Sequence, residues 1–382
     1  MKNAQSRKQL VLVGGGHAHV FVLEAFALKP MTDVDITLVT KEPMAPYSGM
    51  LPGFVAGHYA LSECLIDLHR LCSKACVRLV EGTAIGIDRE RRRLKLIGGA
   101  EIPYDVLSLD VGITPDVSDI AGALDHALLV KPVSQFAPKW QELLARAQAP
   151  EGPRNIAVVG GGAAGVELVL AARHRLTATQ TWDKRRHDPF RYTLIAGTGV
   201  LPGYPPRAQR LVGAALAQSE IDVIENDAAV AIHPGQLRLR SGREIACDAA
   251  IVSTKAKAPE WFSGTGLARD KDGYLALRPT LQTLSDEDIF AAGDCATVIE
   301  HPRPKAGVFA VRQGPVLAHH LRRHLMTGLL DPYVPQRAFL TLISLGDKSA
   351  VASRGSFAAA GHWAWIWKDW IDRRFMARFN RP

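Results

Sequence analysis

An apolar run that breaks on glycines and resumes as a helix occurs twice in this chain, and that repetition constrains the fold more than any other feature. The first copy is VLVGGGHAHV at residues 11–20 and the second is IAVVGGGAAGVELVLAARHRL at 156–176. In the second copy Gly160, Gly162 and Gly165 keep a spacing in which each glycine has its own task. One turns the chain sharply, one lets backbone approach a pyrophosphate, and one lets the helix press on the sheet. The helix that follows aims unpaired N–H groups and positive dipole at such an anion. The first copy keeps Gly14 and Gly16 but carries His19 where the third glycine belongs. A lone glycine-rich turn is weak evidence. Two of them, each between a strand and a helix and far apart in the chain, predict two nucleotide-binding domains. His19 is expected to push helix and strand slightly apart without abolishing binding, or simply to pack and bond locally. His17, in the first helical turn, either points at a pyrophosphate or packs locally.

Residues 10–13, 19–28 and 34–40 read as strand, helix and β-branched strand, the βαβ unit that a dinucleotide site requires. The following segment, KEPMAPYSGMLPGFVAGHY at 41–59, is too long for a mere connector. Residues 77–99 read as strands joined at a charged turn, whose arginine run is most simply a solvated hairpin tip. Residues 104–115 give another buried strand ending in a glycine turn, and the Pro- and Ala-rich stretch 145–155 resets the chain.

The 382 residues are too many for one hydrophobic core. A hydrophobic content of 47% with 22% charged residues is that of a globular protein. The formal charge of +8, from 46 Lys+Arg against 38 Asp+Glu, favours anionic partners such as nucleotide phosphates or acidic lipid. No nucleic-acid module is recognisable. Cys64, Cys72, Cys76, Cys247 and Cys295 lack a framework spacing, which points to a reducing compartment. No His/Cys cluster has metal-ligand spacing, so no metal is expected. Only MKNAQSRKQ precedes the first apolar run, which leaves no room for a signal peptide. No run of 18 apolar residues exists to span a bilayer. A cytoplasmic protein is expected, either free or peripheral on the inner face of the membrane.

LQTLSDEDIFAAGDCATV at 281–298 delivers Gly293 and Asp294 to the C-terminal end of an apolar strand. A carboxylate there can accept hydrogen bonds from sugar-like hydroxyls. With the two glycine turns, this order of motifs resembles the two-dinucleotide-binding-domain flavoproteins, the pyridine nucleotide-disulfide oxidoreductase superfamily, over residues 8–330. GGGHAHV at 14–20, YSGMLPG at 47–53 and PKAGVFAVRQG at 304–314 sharpen the likeness. They are similar to type II NADH dehydrogenases and sulfide:quinone oxidoreductases, and closer still to the flavoprotein module fused ahead of selenophosphate synthetase.

The resemblance implies an α/β fold of two Rossmann-like domains. An NAD(P)H domain at 119–270 is inserted into an FAD domain made of 1–118 and 271–330, and 331–382 form a C-terminal interface or membrane-docking segment. It implies FAD contacts from Gly14, Gly16, His17, Thr40, Lys41, Ser48, Pro52, Ala84, Gly112, Gly293, Asp294, Lys305, Gly307 and Val308. NAD(P)H contacts are implied for Gly160, Gly162, Gly165 and Glu167. Lys305, just before a helix start, is the expected catalytic residue, its cation and the helix dipole stabilising negative charge at flavin N1 and O2, with a solvent-exposed helix-start residue as the alternative. The Tyr47–Pro52 loop is expected beside the isoalloxazine ring, excluding water, with an ordinary surface loop as the alternative.

Two departures from the pattern stand out. The strand at 191–196 ends in Ala196–Gly197 without the acid that usually grips a ribose. Arg207 and Arg210 either favour a 2′-phosphate or form a solvated helix face, so NADH against NADPH stays open. The cysteines are the second departure: Cys72 and Cys76 have the wrong spacing for a redox pair, and Cys295 is the one candidate for thiol chemistry. In the C-terminal segment, Trp363, Trp367 and Trp370 fall on one helical face with Arg374 near its edge. That arrangement suits a bilayer interface; packing on the body or a homodimer contact are the alternatives. The expected function is hydride transfer from NAD(P)H to FAD and electron delivery to an acceptor, a quinone. The rivals are a sulfide- or selenide-oxidising flavoprotein and a flavin-bearing binding module linked to selenium metabolism.

Overall fold

Aliphatic and β-branched runs build the strands, and the chain visits its main sheet twice. The computed structural model describes residues 7–178, 190–254, 256–326 and 328–380. Lys8–Val13 (β1) enters the helix His17–Leu28 (α1) and returns as Val34–Thr40 (β2). The two strands pair in parallel from Lys8↔Val34 to Val13↔Val39. The 41–59 segment then folds rather than looping over the surface. It forms a short strand, a 3-10 turn at Ser48–Met50 and the helix Leu51–Ala56 (α2), every residue of which is buried. Arg78–Glu81 (β3) and Val106–Leu109 (β4) extend the parallel ladder on either side. All of β4 is buried, as a parallel strand covered on both faces requires.

The chain next builds a second sheet, all parallel. Its strands are Ala127–Leu129 (β5), Asn155–Val159 (β6), Arg191–Ala196 (β7), Ile221–Glu225 (β8) and Ala249–Val252 (β9), in the order β5-β9-β6-β7-β8. Helices Val133–Ala147 (α3), Ala163–Ala178 (α4) and Pro206–Gln218 (α5) connect these strands, and α2 packs on α4. Leu275–Leu277 (β10), Gln282–Thr283 (β11), Asp286–Ala291 (β12) and Ala296–Val298 (β13) then return to the first sheet. Its order is β13-β10-β11-β12-β4-β1-β2-β3, with β12 parallel to β4. This is the expected α/β architecture of two Rossmann-like units.

The helix Gly307–Met326 (α6) lies along α1. A three-stranded antiparallel meander of Thr341–Ser344 (β14), Ala350–Arg354 (β15) and Phe357–Gly361 (β16) precedes the last helix, His362–Asn380 (α7).

The arginine run corrects one expectation. The hairpin tip is not simply solvated: Arg89 meets Asp286 at 3.1 Å and Arg92 meets Asp288 at 2.6 Å. The tip is thereby clamped to β12, so it joins the first visit of the chain to the second.

Gly165 sits where α4 crosses β6. A Cβ there would lie 1.8 Å from the Gly160 carbonyl oxygen, so backbone rather than a flexible side chain would have to move. Gly165→Ala is expected to lower stability by about 1–3 kcal/mol. Urea denaturation checks this, and an unchanged midpoint would show that helix and strand do not need this approach.

Candidate functional site

Gly14 has φ +95°, and a Cβ there would lie 2.3 Å from the Asp110 carbonyl oxygen. A Cβ at Gly16 would lie 2.2 Å from the Asp110 carboxyl group. The first turn is therefore pressed onto the end of β4. Asp110 Oδ2 accepts the amides of Ala18 at 2.7 Å and His19 at 3.1 Å, so a carboxylate from another strand caps α1. Burial pushes the Asp110 carboxyl up to about 7, against the pull of those two amides.

His19 is wholly buried and bonds locally, the second of the two expectations. Its Nδ1 donates to the Gly14 carbonyl at 2.7 Å, and its Nε2 accepts from the Ser108 hydroxyl at 2.9 Å. Burial lowers its pKa to about 4, keeping the ring neutral. His17 turns toward aromatic neighbours, 5.5 Å from the Tyr47 ring and 6.1 Å from that of Phe375. Burial first and the charge of Lys131 second hold it at about 4 as well.

Gly293 and Asp294 face this turn from the returning chain. The Gly293 amide donates to Gln313 Oε1 at 2.7 Å, and a Cβ at Gly293 would lie 2.5 Å from Asp110 Oδ1. Burial raises the Asp294 pKa, while Lys131 and then Lys305 oppose the rise.

Lys305 is held by groups of the protein itself. Its ammonium donates to the Ala296 carbonyl at 2.5 Å and Thr297 Oγ1 at 2.8 Å, and lies 4.0 Å from the Tyr274 ring centroid. It ties the approach to α6 onto β13 with two of its three donors. Gly307 starts α6, with Val308 after it, and a Cβ on Gly307 would meet Ser48 Oγ at 3.9 Å. The Ser48 loop therefore adjoins that helix terminus, with Pro52 buried in α2 behind it.

At the far end of the cleft, the Thr40 hydroxyl donates to the Glu42 carbonyl at 3.0 Å, and Glu42 Oε1 accepts from Ser134 at 2.6 Å. Lys41 is exposed beside them. Ala84 is buried at the start of an antiparallel strand, close in the chain to Gly82, whose amide bonds the Thr40 carbonyl at 2.9 Å. Gly112, with φ +70°, turns the chain just past β4 into open space.

In the second unit Gly160 has φ +133°, and a Cβ at Gly162 would meet nothing within 4 Å. That open approach fits a dinucleotide pyrophosphate. Glu167, the fourth expected NAD(P)H contact, lies on α4 beyond this turn. It is enclosed, its Oε1 accepts the Ser344 amide at 2.8 Å, and burial pushes it to about 7 despite the nearby charge of Lys368. An acid missed by the sequence reading stands at the neighbouring strand end: Glu225, in register with Ala196, accepts the Val200 amide at 2.8 Å. Arg207 and Arg210 are exposed on α5.

The sequence reading also missed the polar array between the units. Lys368 Nζ donates to the Gly49 carbonyl and to Asp372 Oδ2, each at 2.7 Å, and Asp372 Oδ1 accepts from the Tyr47 hydroxyl at 3.0 Å. Burial pulls the Lys368 pKa down, but Asp372 and Glu167 outweigh it and the net shift is upward. The i,i+4 spacing of Lys368 and Asp372 was the available signal, obscured by the surrounding tryptophans.

Beside this array the Tyr47 ring stacks on Phe375 at 4.4 Å. An adjoining groove is lined by Phe21, Val311, Trp370, Ile371, Arg374, Phe375 and Arg378. On the outer side of α7, Trp363, Ile366, Trp367 and Trp370 are exposed. Among the described residues, no helix is long and apolar enough to cross a membrane. Cys295 is buried, its thiol bonded to the Ala292 carbonyl at 3.2 Å and pushed by burial to about 12, the setting of a packing residue.

Comparison with known proteins agrees with this geometry. The family profile of the pyridine nucleotide-disulphide oxidoreductases matches residues 8–314. A type II NADH:quinone oxidoreductase of Haemophilus influenzae is 28% identical over 399 aligned residues, covering 93% of this chain and 86% of that protein. The sulfide:quinone oxidoreductase of Aquifex aeolicus superposes with a TM-score of 0.82 at 20% identity, covering 98% of this chain and 92% of that one. NDH2 from Plasmodium falciparum in complex with NADH does so with a TM-score of 0.82 at 14% identity, covering 98% and 99%. The chain belongs to the pyridine nucleotide-disulphide oxidoreductase family and is an FAD-dependent NAD(P)H dehydrogenase.

Proposed function

We propose that this protein passes electrons from NADH to a quinone taken from a membrane surface. The observation that carries this reading is the buried Glu167–Lys368–Asp372–Tyr47 array, which lies between the second glycine turn and the aromatic groove. FAD, when bound, takes a hydride from the nicotinamide and releases electrons to the acceptor. Gly14, Gly16 and the start of α1 suit its diphosphate, and Asp294 suits its ribityl hydroxyls. The Ser48–Gly49 turn and Gly307 line the space for its ring. Gly162 leaves room for the NADH pyrophosphate, and Glu225 offers a carboxylate to the adenosine ribose in place of the acid absent from β7.

Converting a quinone to a quinol takes up two protons as well as two electrons. Glu167, with a pKa near neutrality, and Tyr47, bonded to Asp372, are groups that can hold protons beside the reaction. The groove next to Tyr47 and Phe375 is apolar enough for a quinone ring. The outward tryptophans of α7, with Arg374 5.2 Å from the Trp370 ring, suit a lipid headgroup boundary. The name of the Haemophilus relative supports the same acceptor class. A chalcogenide donor is not favoured, because the buried Cys295 thiol is poorly suited to form a thiolate.

Four outcomes are expected. Anaerobic NADH should bleach the bound flavin and a short-chain quinone should restore its colour, whereas bleaching by sulfide but not NADH would overturn the donor assignment. Asp294→Ala should purify without stoichiometric FAD, and retained flavin would remove Asp294 from the cofactor site.

Glu167→Gln tests the buried proton. The folded pKa of Glu167 is raised, so its neutral form favours folding below pH 4.5 and that contribution is lost as pH rises through about 7. Relative to wild type, the variant should therefore gain stability between pH 5 and pH 8, by at most about 3 kcal/mol. Urea titrations at both ends of the window measure this; a pH-independent difference would reject the raised pKa. For the last helix, replacing Trp363, Trp367 and Trp370 together by Ser should abolish flotation with anionic liposomes, and unchanged flotation would reject membrane docking.

A further inference from the structure

The helix α2 closes on Gly57, whose φ of +83° is a left-handed conformation that favours glycine. The missing side chain leaves a seat for Arg175, in the last turn of α4. A Cβ on Gly57 would lie 2.5 Å from Arg175 Nη1 and 3.0 Å from its Cζ. The guanidinium thus occupies space that any other residue at 57 would fill. Arg175 is half-buried, yet among the described residues no group engages it in an ion pair or hydrogen bond. A partly desolvated cation without a partner is open to one from outside the chain.

Arg175 lines a cleft of about 520 Å³ between α2, α3 and α4. Small-molecule sites span roughly 300–1,000 Å³ and favour junctions between units of a fold. Phe54 of α2, Leu61 beyond it, and Ala137, Pro138 and Leu144 of α3 supply apolar walls. Two of the polar groups there are engaged elsewhere. Tyr59 donates its hydroxyl to Asp369 at 2.7 Å, and His58 Nε2 donates to the Gly346 carbonyl at 2.8 Å. Burial lowers the His58 pKa, which leaves Arg175 as the one permanent cation among the lining residues. The cleft shares no lining residue with the aromatic groove beside Phe375.

We propose that this cleft is a second ligand site, taking an amphiphile with a single carboxylate head on Arg175 and an apolar body between α2 and α3. A guanidinium presents paired N–H donors that match a carboxylate in a charge-assisted, two-bond contact. One cation balances one negative charge, whereas a phosphate monoester would leave charge uncompensated beside apolar walls. The site does not rest on the quinone reading. It touches both units, because α2 follows the Ser48–Met50 turn and α4 follows the second glycine turn.

The experiment titrates the purified holoprotein calorimetrically with octanoate and with 1-octanol, which keeps the apolar body without the charge. Wild type should bind octanoate about 10-fold more tightly than 1-octanol, the margin of one charge-assisted contact. Arg175→Gln should abolish that preference while still binding 1-octanol. Gln141 is exposed at the cleft, so Gln141→Trp fills it without disturbing the core and should weaken both ligands. The variant with Trp363, Trp367 and Trp370 replaced by Ser should bind both as wild type does. A wild type that binds neither ligand, or shows no preference for octanoate, would overturn the proposal. So would a preference that survives Arg175→Gln, or binding that Gln141→Trp leaves unchanged. Loss of octanoate binding in the tryptophan variant alone would place the amphiphile on α7 and overturn it as well.

Discussion

A buried carboxyl group, Asp110, is the point on which the first site is assembled. It stands at the end of β4, caps α1 through two amides, and lies against both Gly16 and Gly293. Those contacts join the first visit of the chain to the main sheet with the second, across the intervening second unit. A buried carboxyl without partners is costly, and here the helix terminus satisfies it. The same crowding explains why side chains are excluded at Gly16 and Gly293: a Cβ at either position would fall within 2.5 Å of the carboxyl group. His19 completes the arrangement by bonding the Gly14 carbonyl to Ser108, so the missing third glycine is replaced by hydrogen bonds rather than by a gap.

The last helix serves two environments at once. One side of α7 buries Asp372 and most of Lys368 against Tyr47, Gly49 and Glu167, where charge is tolerated only because each group has a partner. The other side exposes tryptophans. Phe375 lies between these sides and stacks on Tyr47, so an apolar path from the outer surface ends at the polar array. A helix with this division keeps bulk water from the buried charged groups on one side and presents aromatic rings on the other.

Much of this was legible in linear order. Gly14–Gly16, Gly160–Gly165 and Gly293–Asp294 announce themselves because close backbone approach and tight turns depend on neighbours only a few residues away. The aromatic face of α7 was legible for the same reason, since helical periodicity is local. The polar array was not, because Tyr47, Glu167 and Lys368 come from three distant parts of the chain. The partners of Lys305 were not legible either, because closeness to a helix start says nothing about where an ammonium points. Glu167 belongs to a nucleotide motif by spacing, while its carboxyl meets Ser344, a partner that linear order does not show.

The amino-acid sequence by itself determined the doubled strand–turn–helix units, the returning Gly–Asp turn and the amphipathic tail, all set by backbone sterics and short-range periodicity. Only the tertiary structure decided which partners each charge meets: Lys131 near Asp294, Lys305 on Ala296 and Thr297, Lys368 between Glu167 and Asp372. Long side chains on flexible stems reach in many directions, and their direction is chosen by the burial and partners that packing creates.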